Sequence, residues 1–362
     1  MQKKELEKLF KSESLVLPEV LTIAITGECN LRCSHCWVDS GPDSPVSRVA
    51  KEDVQRVIDD FAALGGSAIR LTGGEPLLHP EWLELLKLAG AAGLQVLLQT
   101  NGMLFEAEDL RALRGLRLAD LDIQISFDGS RAKTHDLVRG EGAFQQALNN
   151  VRALVEHGFG GNVSFFFAEM RHNLQELPEL FLLAKDLGVR SVSSGSLVMC
   201  GRAEGEEVVA PPDPEQYLAL LQFYADNHKF QQLYAELGCI AALEWCGTKV
   251  ARSGCQFVRT PYLTAGGVIY PCLLCHADRY SVAGVFAKGL PDALIEGVPL
   301  WSSLQQLSQQ RAATIPECQE CSFLQNCAGG CMGRAWGSFG DFLVVEDRCQ
   351  QRQAVLNWNN KN

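Results

Sequence analysis

The chain has 362 residues, 47% of them hydrophobic, with a formal net charge of -11 and fourteen cysteines. That length buries on the order of three quarters of the unfolded surface and has room for one large domain plus a smaller one. The acidic balance excludes the clustered Lys and Arg of a nucleic-acid binder, and no apolar run approaches the roughly 18 residues of a membrane span. The opening segment "MQKKELEKLFKSESLVLPEV" lacks the apolar stretch of a secretion signal. A reducing cytoplasm is therefore the expected setting, where many cysteines read as metal ligands and not as disulfides.

In chain order, apolar β-rich runs alternate with amphipathic helical ones. The predicted strands are "VLTIAIT" (20–26), "AIRLT" (68–72), "LQVLLQT" (94–100), "LDIQISF" (121–127), "NVSFFFAEM" (162–170) and "VRSVSSGSLVM" (189–199). Between them lie "KEDVQRVIDDFAALGG", "HPEWLELLKLAGAAG", "AFQQALNNVRALVEHG" and "LQELPELFLLAKDLG", which end in the Gly that commonly caps a helix. Such βα alternation implies a parallel sheet, and six units fall short of a closed eight-unit barrel. The expected fold is thus α/β, a partial (β/α)6 TIM-like barrel. From "APPDPEQY" the pattern breaks into a helical bridge, after which cysteines become dense and long periodic segments scarce. The expected organisation is an N-terminal extension over 1–20, the barrel over 21–210, a bridge over 211–245 and a small cluster-binding domain over 246–362.

The segment "GECNLRCSHCW" places Cys29, Cys33 and Cys36 directly after the first strand, where parallel sheets bind ligands in loops. A structural zinc takes four ligands, and so does a saturated four-iron cluster. Three thiolates can hold three irons of such a cluster and leave the fourth iron free for a small chelating ligand. His35 and Trp37 flank the last of these cysteines and are expected to pack around the site.

"CNLRCSHC", followed by "LTGGEP" at the end of the second strand, resembles the radical S-adenosylmethionine (SAM) superfamily. The resemblance implies that SAM chelates the open iron, with Gly73 and Gly74 allowing close approach and Glu75 accepting hydrogen bonds from its amine. "QISFDG" resembles the family segment whose Ser and Asp contact SAM, here Ser126 and Asp128, and "THDLVRGEGAFQQAL" places Arg139 beside them. Gln99 and Asn101 in "LLQTNG" sit at a strand end facing the same site, although an Asn-Gly turn explains them equally well.

The later cysteines are also patterned: Cys255, Gly267 and Cys272, then Cys318, Cys321, Cys327 and Cys331 as C-x-x-C-x5-C-x3-C, then Cys349. Alone this also reads as a zinc ribbon, the lesser of the two readings. Beside the barrel it resembles the SPASM domain, which carries two auxiliary iron-sulfur clusters and brings the total to three four-iron clusters. By that resemblance Cys318, Cys321, Cys327 and Cys349 hold the outer cluster, and Cys331 joins Cys255 and Cys272 on the inner one. The cysteine that relatives place between the first cysteine and the glycine is missing, which leaves Cys275, Cys246 or an open iron to complete the inner cluster. Cys200 and Cys239 are expected to be ordinary buried thiols.

The resemblance implies reductive cleavage of SAM to methionine and a 5′-deoxyadenosyl radical that abstracts hydrogen from an unactivated C–H bond. The expected function is a maturase acting on a ribosomally made precursor peptide, forming a thioether or carbon-carbon crosslink or a related oxidation. A flavodoxin or ferredoxin type reductant is expected as a partner. Only 1–19 precede the first strand, so leader recognition is expected to use a separate protein or direct binding of the precursor. "LVMCGRAEG" and "GCMGRAWGSFGDFLVVEDRC" resemble haem-pathway relatives, which makes tetrapyrrole modification the second reading. A formylglycine-forming sulfatase maturase is disfavoured by Leu273, where that subfamily carries an acid. The non-enzyme alternative is an iron-sulfur electron-transfer protein with all irons saturated.

Overall fold

A computed structural model describes residues 3–45, 48–204, 208–247 and 255–360. The six predicted strands are all present: β1 (Val20–Ala24), β2 (Ala68–Thr72), β3 (Gln95–Thr100), β4 (Leu121–Ser126), β5 (Val163–Glu169) and β6 (Ser191–Ser196). They pair in parallel and in chain order. Side chains such as Leu21, Ile23, Leu71, Leu98, Ile123 and Phe165 are fully buried, as expected of a parallel sheet covered on both faces.

The helices form where apolar residues recur at helical spacing. In α1 (Lys51–Ala63), Val54, Val57, Ile58 and Phe61 lie on one buried face, and full burial of a side chain the size of Phe61 contributes about 2–3 kcal/mol. Helix α2 (Leu177–Leu187) ends at Gly188, whose φ of 72° supplies the left-handed C-cap that a Cβ would strain. In the bridge, "DPEQ" becomes a capping box, with Asp213 and Gln216 closing the first turn of α3 (Pro214–Asp226) and Pro214 at its first position.

Three short strands escaped the sequence reading. β7 (Gly238–Cys239) pairs parallel to β6, β8 (Tyr262–Leu263) pairs parallel to β1, and β9 (Ile269–Tyr270) pairs antiparallel to β8. Two residues per strand give no periodicity to detect. Their effect is large, because the sheet runs β7-β6-β5-β4-β3-β2-β1-β8-β9 and the cysteine-rich segment continues the barrel sheet at its β1 edge. The C-terminal helix Cys349–Asn359 packs along α3, so the bridge helix is the surface on which the end of the chain docks. The expectation of two ordinary buried thiols needs correction at Cys239, which is exposed because the two-residue strand carrying it lies at the sheet edge. Cys200 is half-buried, with its thiol 3.7 Å from the Trp37 carbonyl oxygen.

Candidate functional site

The loops at the C-terminal ends of β1 to β6 enclose an open cavity of about 1220 Å³. Its wall includes Cys29, Cys33, Cys36, Gly73, Gly74, Glu75, Gln99, Asn101, Ser126 and Arg139, which the sequence placed on five separate segments. The cysteine loop is pinned locally: the Cys29 amide donates to Gly41 O at 3.2 Å, the Cys36 amide to Cys33 O at 3.1 Å, and the Leu31 amide to Cys29 Sγ at 3.4 Å.

Close backbone approach explains the two glycines. The Gly74 amide donates to Thr26 O at 2.8 Å and the Glu75 amide to Glu28 O at 2.7 Å, so the end of β2 lies flush against the chain leaving β1. A Cβ at Gly73 would collide with Thr26 O, and one at Gly74 with Glu28 O. The close approach expected toward a ligand is thus made to the chain itself.

Glu75 is buried and fully engaged. Its Oε1 accepts from the Thr100 hydroxyl at 2.6 Å and the Leu77 amide at 3.2 Å, and its Oε2 accepts from the Asn101 amide at 2.8 Å. Burial pushes its carboxyl up to about 7 against the pull of those donors. Since that value lies above the usual carboxylate range, the stability associated with neutral Glu75 is present at low pH and is lost as the pH rises through about 7. Urea unfolding of the metal-free protein is expected to show a loss of up to about 3 kcal/mol from pH 5 to 8. Glu75→Gln should flatten that profile.

Asp128 does not line the cavity. It is fully buried behind the wall, where Oδ2 lies 2.6 Å from Arg139 Nε and 3.1 Å from His35 Nε2, while Oδ1 accepts from the Ala168 amide at 2.9 Å. Burial alone would raise its carboxyl, but Arg139 and His35 hold it well below the usual carboxylate range. In the structure Asp128 orients Arg139 and His35, which do face the cavity. Asn101 lines the cavity and takes part in the turn, where its Oδ1 accepts from the Met103 amide, while its side chain donates to Asn30 Oδ1 at 2.8 Å. Trp37 packs against Tyr262 and His276, with ring centroids 5.2 and 4.6 Å away.

Sequence reasoning missed Arg202. It lies in "LVMCGRAEG" and reaches back to the cysteine loop, donating to Cys33 O at 3.0 Å, Asp39 Oδ1 at 2.6 Å and Ser40 O at 2.6 Å. Nothing local in the sequence marks it, because its partners are more than 160 residues away.

Burial pushes the Cys29 thiol up to about 12, with Glu75, Cys33 and Cys36 adding to the shift, and raises Cys33 against the pull of Arg139. Crowded thiols of this kind release their protons when a cationic metal centre binds. The donor set therefore fits a metal cluster held from one side.

Two further thiol groups assemble from the C-terminal third. Cys318, Cys321, Cys327 and Cys349 line one pocket of about 420 Å³ under the last helix. Burial raises Cys318 and Cys327, with Arg311 pulling on the first and Arg352 on the second. Cys272 is pushed up to about 12 by burial and by Cys331 and Cys255, and buried Cys275 is raised in turn by burial, Cys272, Cys255 and Cys331. Those four thiols act on one another electrostatically. Cys246 is raised by burial alone, and no other thiol acts on it.

Residues 23–184 match the sequence model of the radical SAM superfamily, a span that runs from β1 into α2 and contains the three-cysteine loop and the Gly-Gly-Glu segment. This part of the chain is a radical SAM domain. S-adenosylmethionine and one four-iron cluster are the cofactors of its radical SAM domain. The chain is 27% identical over 351 residues to the AdoMet-dependent heme synthase of Methanosarcina barkeri, covering 92% of this chain and 97% of that protein. It is 28% identical over 324 residues to the mycofactocin maturase MftC of Mycobacterium ulcerans, covering 87% of this chain and 83% of that one. Its fold is shared by Streptococcus suis SuiB bound to S-adenosylmethionine, with a TM-score of 0.76 at 16% identity over 96% of this chain and 81% of SuiB. The radical SAM domain accounts for the barrel from β1 to β5, and the likeness in fold to SuiB extends through the cysteine-rich segment.

Proposed function

We propose that this radical SAM enzyme is a peptide maturase that abstracts hydrogen from a residue of a ribosomally made precursor and forms a thioether or carbon-carbon crosslink or a related oxidation. The observation that carries the peptide reading is how the basic side chains on the cavity wall are held. Arg139 and His35 are held by Asp128, and Arg202 is held by Asp39. Among the described residues, the rest of the wall is apolar or uncharged apart from Glu75 and the thiols, with Leu31, Val38, Phe166, Leu197, Val198, Leu273 and Leu274 prominent. A tetrapyrrole carries several carboxylates that need cationic partners when desolvated, whereas a peptide backbone needs only neutral donors and acceptors. The similarity to the mycofactocin maturase supports the same reading.

In this reading Cys29, Cys33 and Cys36 hold the site cluster, and SAM lies along Gly73, Gly74, Glu75, Gln99, Asn101, Ser126 and Arg139. When bound, these cofactors supply the 5′-deoxyadenosyl radical. The protein contributes position and dryness. Glu75 is oriented by Thr100 and Asn101, Arg139 by Asp128, and the cysteine loop by Arg202. Leu273, Leu274 and Tyr262 close one side of the cavity from the C-terminal segment, which excludes water from the reacting carbon. Two auxiliary clusters follow from the other thiol groups: Cys318, Cys321, Cys327 and Cys349 on the outer one, and Cys255, Cys272, Cys331 and Cys275 on the inner one. The cluster segment is assigned to 246–362, a flavodoxin or ferredoxin type protein to electron supply, and a separate protein to leader recognition.

The second reading, tetrapyrrole modification, is favoured by the extent of the match to the Methanosarcina barkeri heme synthase. One experiment separates the two. Anaerobically reconstituted protein, reduced with dithionite and supplied with SAM, is given either peptides encoded beside its gene or an iron porphyrin bearing propionates. Loss of hydrogen from a peptide by mass spectrometry supports the maturase, while decarboxylation of the porphyrin with every peptide untouched overturns it. Iron should total about twelve per chain, and Cys275→Ser should lower the count toward eight while Cys246→Ser leaves it unchanged.

A further inference from the structure

Arg334 is 5% exposed and sits on the eight-residue helix Met332–Phe339, whose N-cap is Cys331. Its Nε lies 3.3 Å from Glu346 Oε2 and 3.3 Å from Asp347 Oδ1. Its Nη2 is buried and has no hydrogen-bond partner. Leaving a buried donor unpaired costs about 1–3 kcal/mol, more for a charged group, so a native structure seldom does so without an acceptor nearby.

The surroundings indicate what that acceptor is. The half-buried Cys331 thiol, pushed up to about 11 by burial and Glu346, is pulled back by the Arg334 guanidinium and by the Arg334 amide, which donates to its sulfur. A Cβ at Gly333 would collide with Leu274 O, so the helix lies flush on the loop that carries Cys272 and Cys275. The guanidinium therefore acts on the Cys331 thiol, three residues along from the N-cap of a helix whose dipole also favours negative charge. The other thiol groups have comparable partners: Arg139 Nη1 lies 4.0 Å from Cys33 Sγ, and Arg311 and Arg352 act on Cys318 and Cys327.

We propose that Arg334 is the counter-charge of the inner auxiliary cluster, donating through its guanidinium to a cluster or cysteinyl sulfur and raising that cluster's reduction potential. This rests on the reading above that Cys255, Cys272, Cys275 and Cys331 bind a cluster. The physical cause is simple: reduction adds one negative charge, and a buried cation stabilises the reduced form more than the oxidised one. Glu346 and Asp347 oppose it by neutralising part of the guanidinium charge.

The test uses the full chain with Cys29, Cys33 and Cys36 replaced by Ala, reconstituted with iron and sulfide and titrated with dithionite under electron paramagnetic resonance. Arg334→Gln is expected to lower the one-electron reduction equilibrium constant of the inner cluster about tenfold, which is 59 mV, and leave the outer cluster unmoved. Arg334→Lys, which keeps the charge, should titrate near the parent chain. An unmoved potential in Arg334→Gln, or equal shifts in the Gln and Lys variants, overturns the inference. Should Arg334→Gln fail to hold iron, Asp347→Asn decides: a raised potential supports the counter-charge, and an unchanged or lowered one overturns it. A parent chain that binds about four irons instead of eight overturns the inner-cluster reading and this inference with it, whereas eight irons with an unmoved potential overturns this inference alone.

Discussion

Replacing Cys29, Cys33 and Cys36 together by alanine is expected to abolish SAM cleavage while the remaining thiol groups keep about eight irons. All three thiols open onto one cavity, whereas the other two thiol groups assemble from residues 255–349. Nothing else among the described residues of the cavity wall is a thiol, so no neighbour can substitute. The measurement is 5′-deoxyadenosine formation by chromatography, with iron and sulfide counted on the same preparation. Cleavage that survives the triple substitution would remove the site assignment, and a collapse of iron below about eight would show that the three groups fold as one unit.

The second large effect is on stability. Asp128→Ala is expected to destabilise the metal-free protein by about 3–5 kcal/mol, because it leaves a buried guanidinium without its partner. Arg139 is only 9% exposed, and its Nε is held by Asp128 at 2.6 Å. The same substitution also strips the Ala168 amide of its acceptor and frees His35. Asp128→Asn preserves shape but not charge and should recover part of the loss. Urea unfolding checks both variants. A loss under about 1 kcal/mol would mean that Arg139 finds water or another acceptor and that Asp128 is not what holds it.

Much of this architecture was legible before any coordinate was known. Strands β1 to β6 and the helices between them carry strong periodic signals, since a sheet buried on both faces demands continuous apolar runs and each covering helix demands a stripe. The three-cysteine loop and "LTGGEP" were legible because close backbone packing and metal ligation each require particular residue types at a short spacing. Spacing placed Asp128 in the neighbourhood, but not its pairing with Arg139 and His35 behind the cavity wall. Arg202 was missed because its partners on the cysteine loop are remote in the chain. The three two-residue strands were missed because so short a segment pairs through backbone hydrogen bonds alone, with no side-chain rhythm.

By itself, then, the chain of letters determined the parallel βα framework, the trio of thiols at the end of β1 and the existence of two further cysteine sets, because each depends on local spacing. Only the tertiary structure brought Cys275 within electrostatic reach of Cys255, Cys272 and Cys331. It also decided that the cysteine-rich segment continues the barrel sheet through β8, and that Asp128, Arg202 and Arg334 act as supports around the thiols. The reason is the same in each case: burial and pairing between segments far apart in the chain are set by how the layers pack, and no local pattern encodes which distant charge a buried side chain will meet.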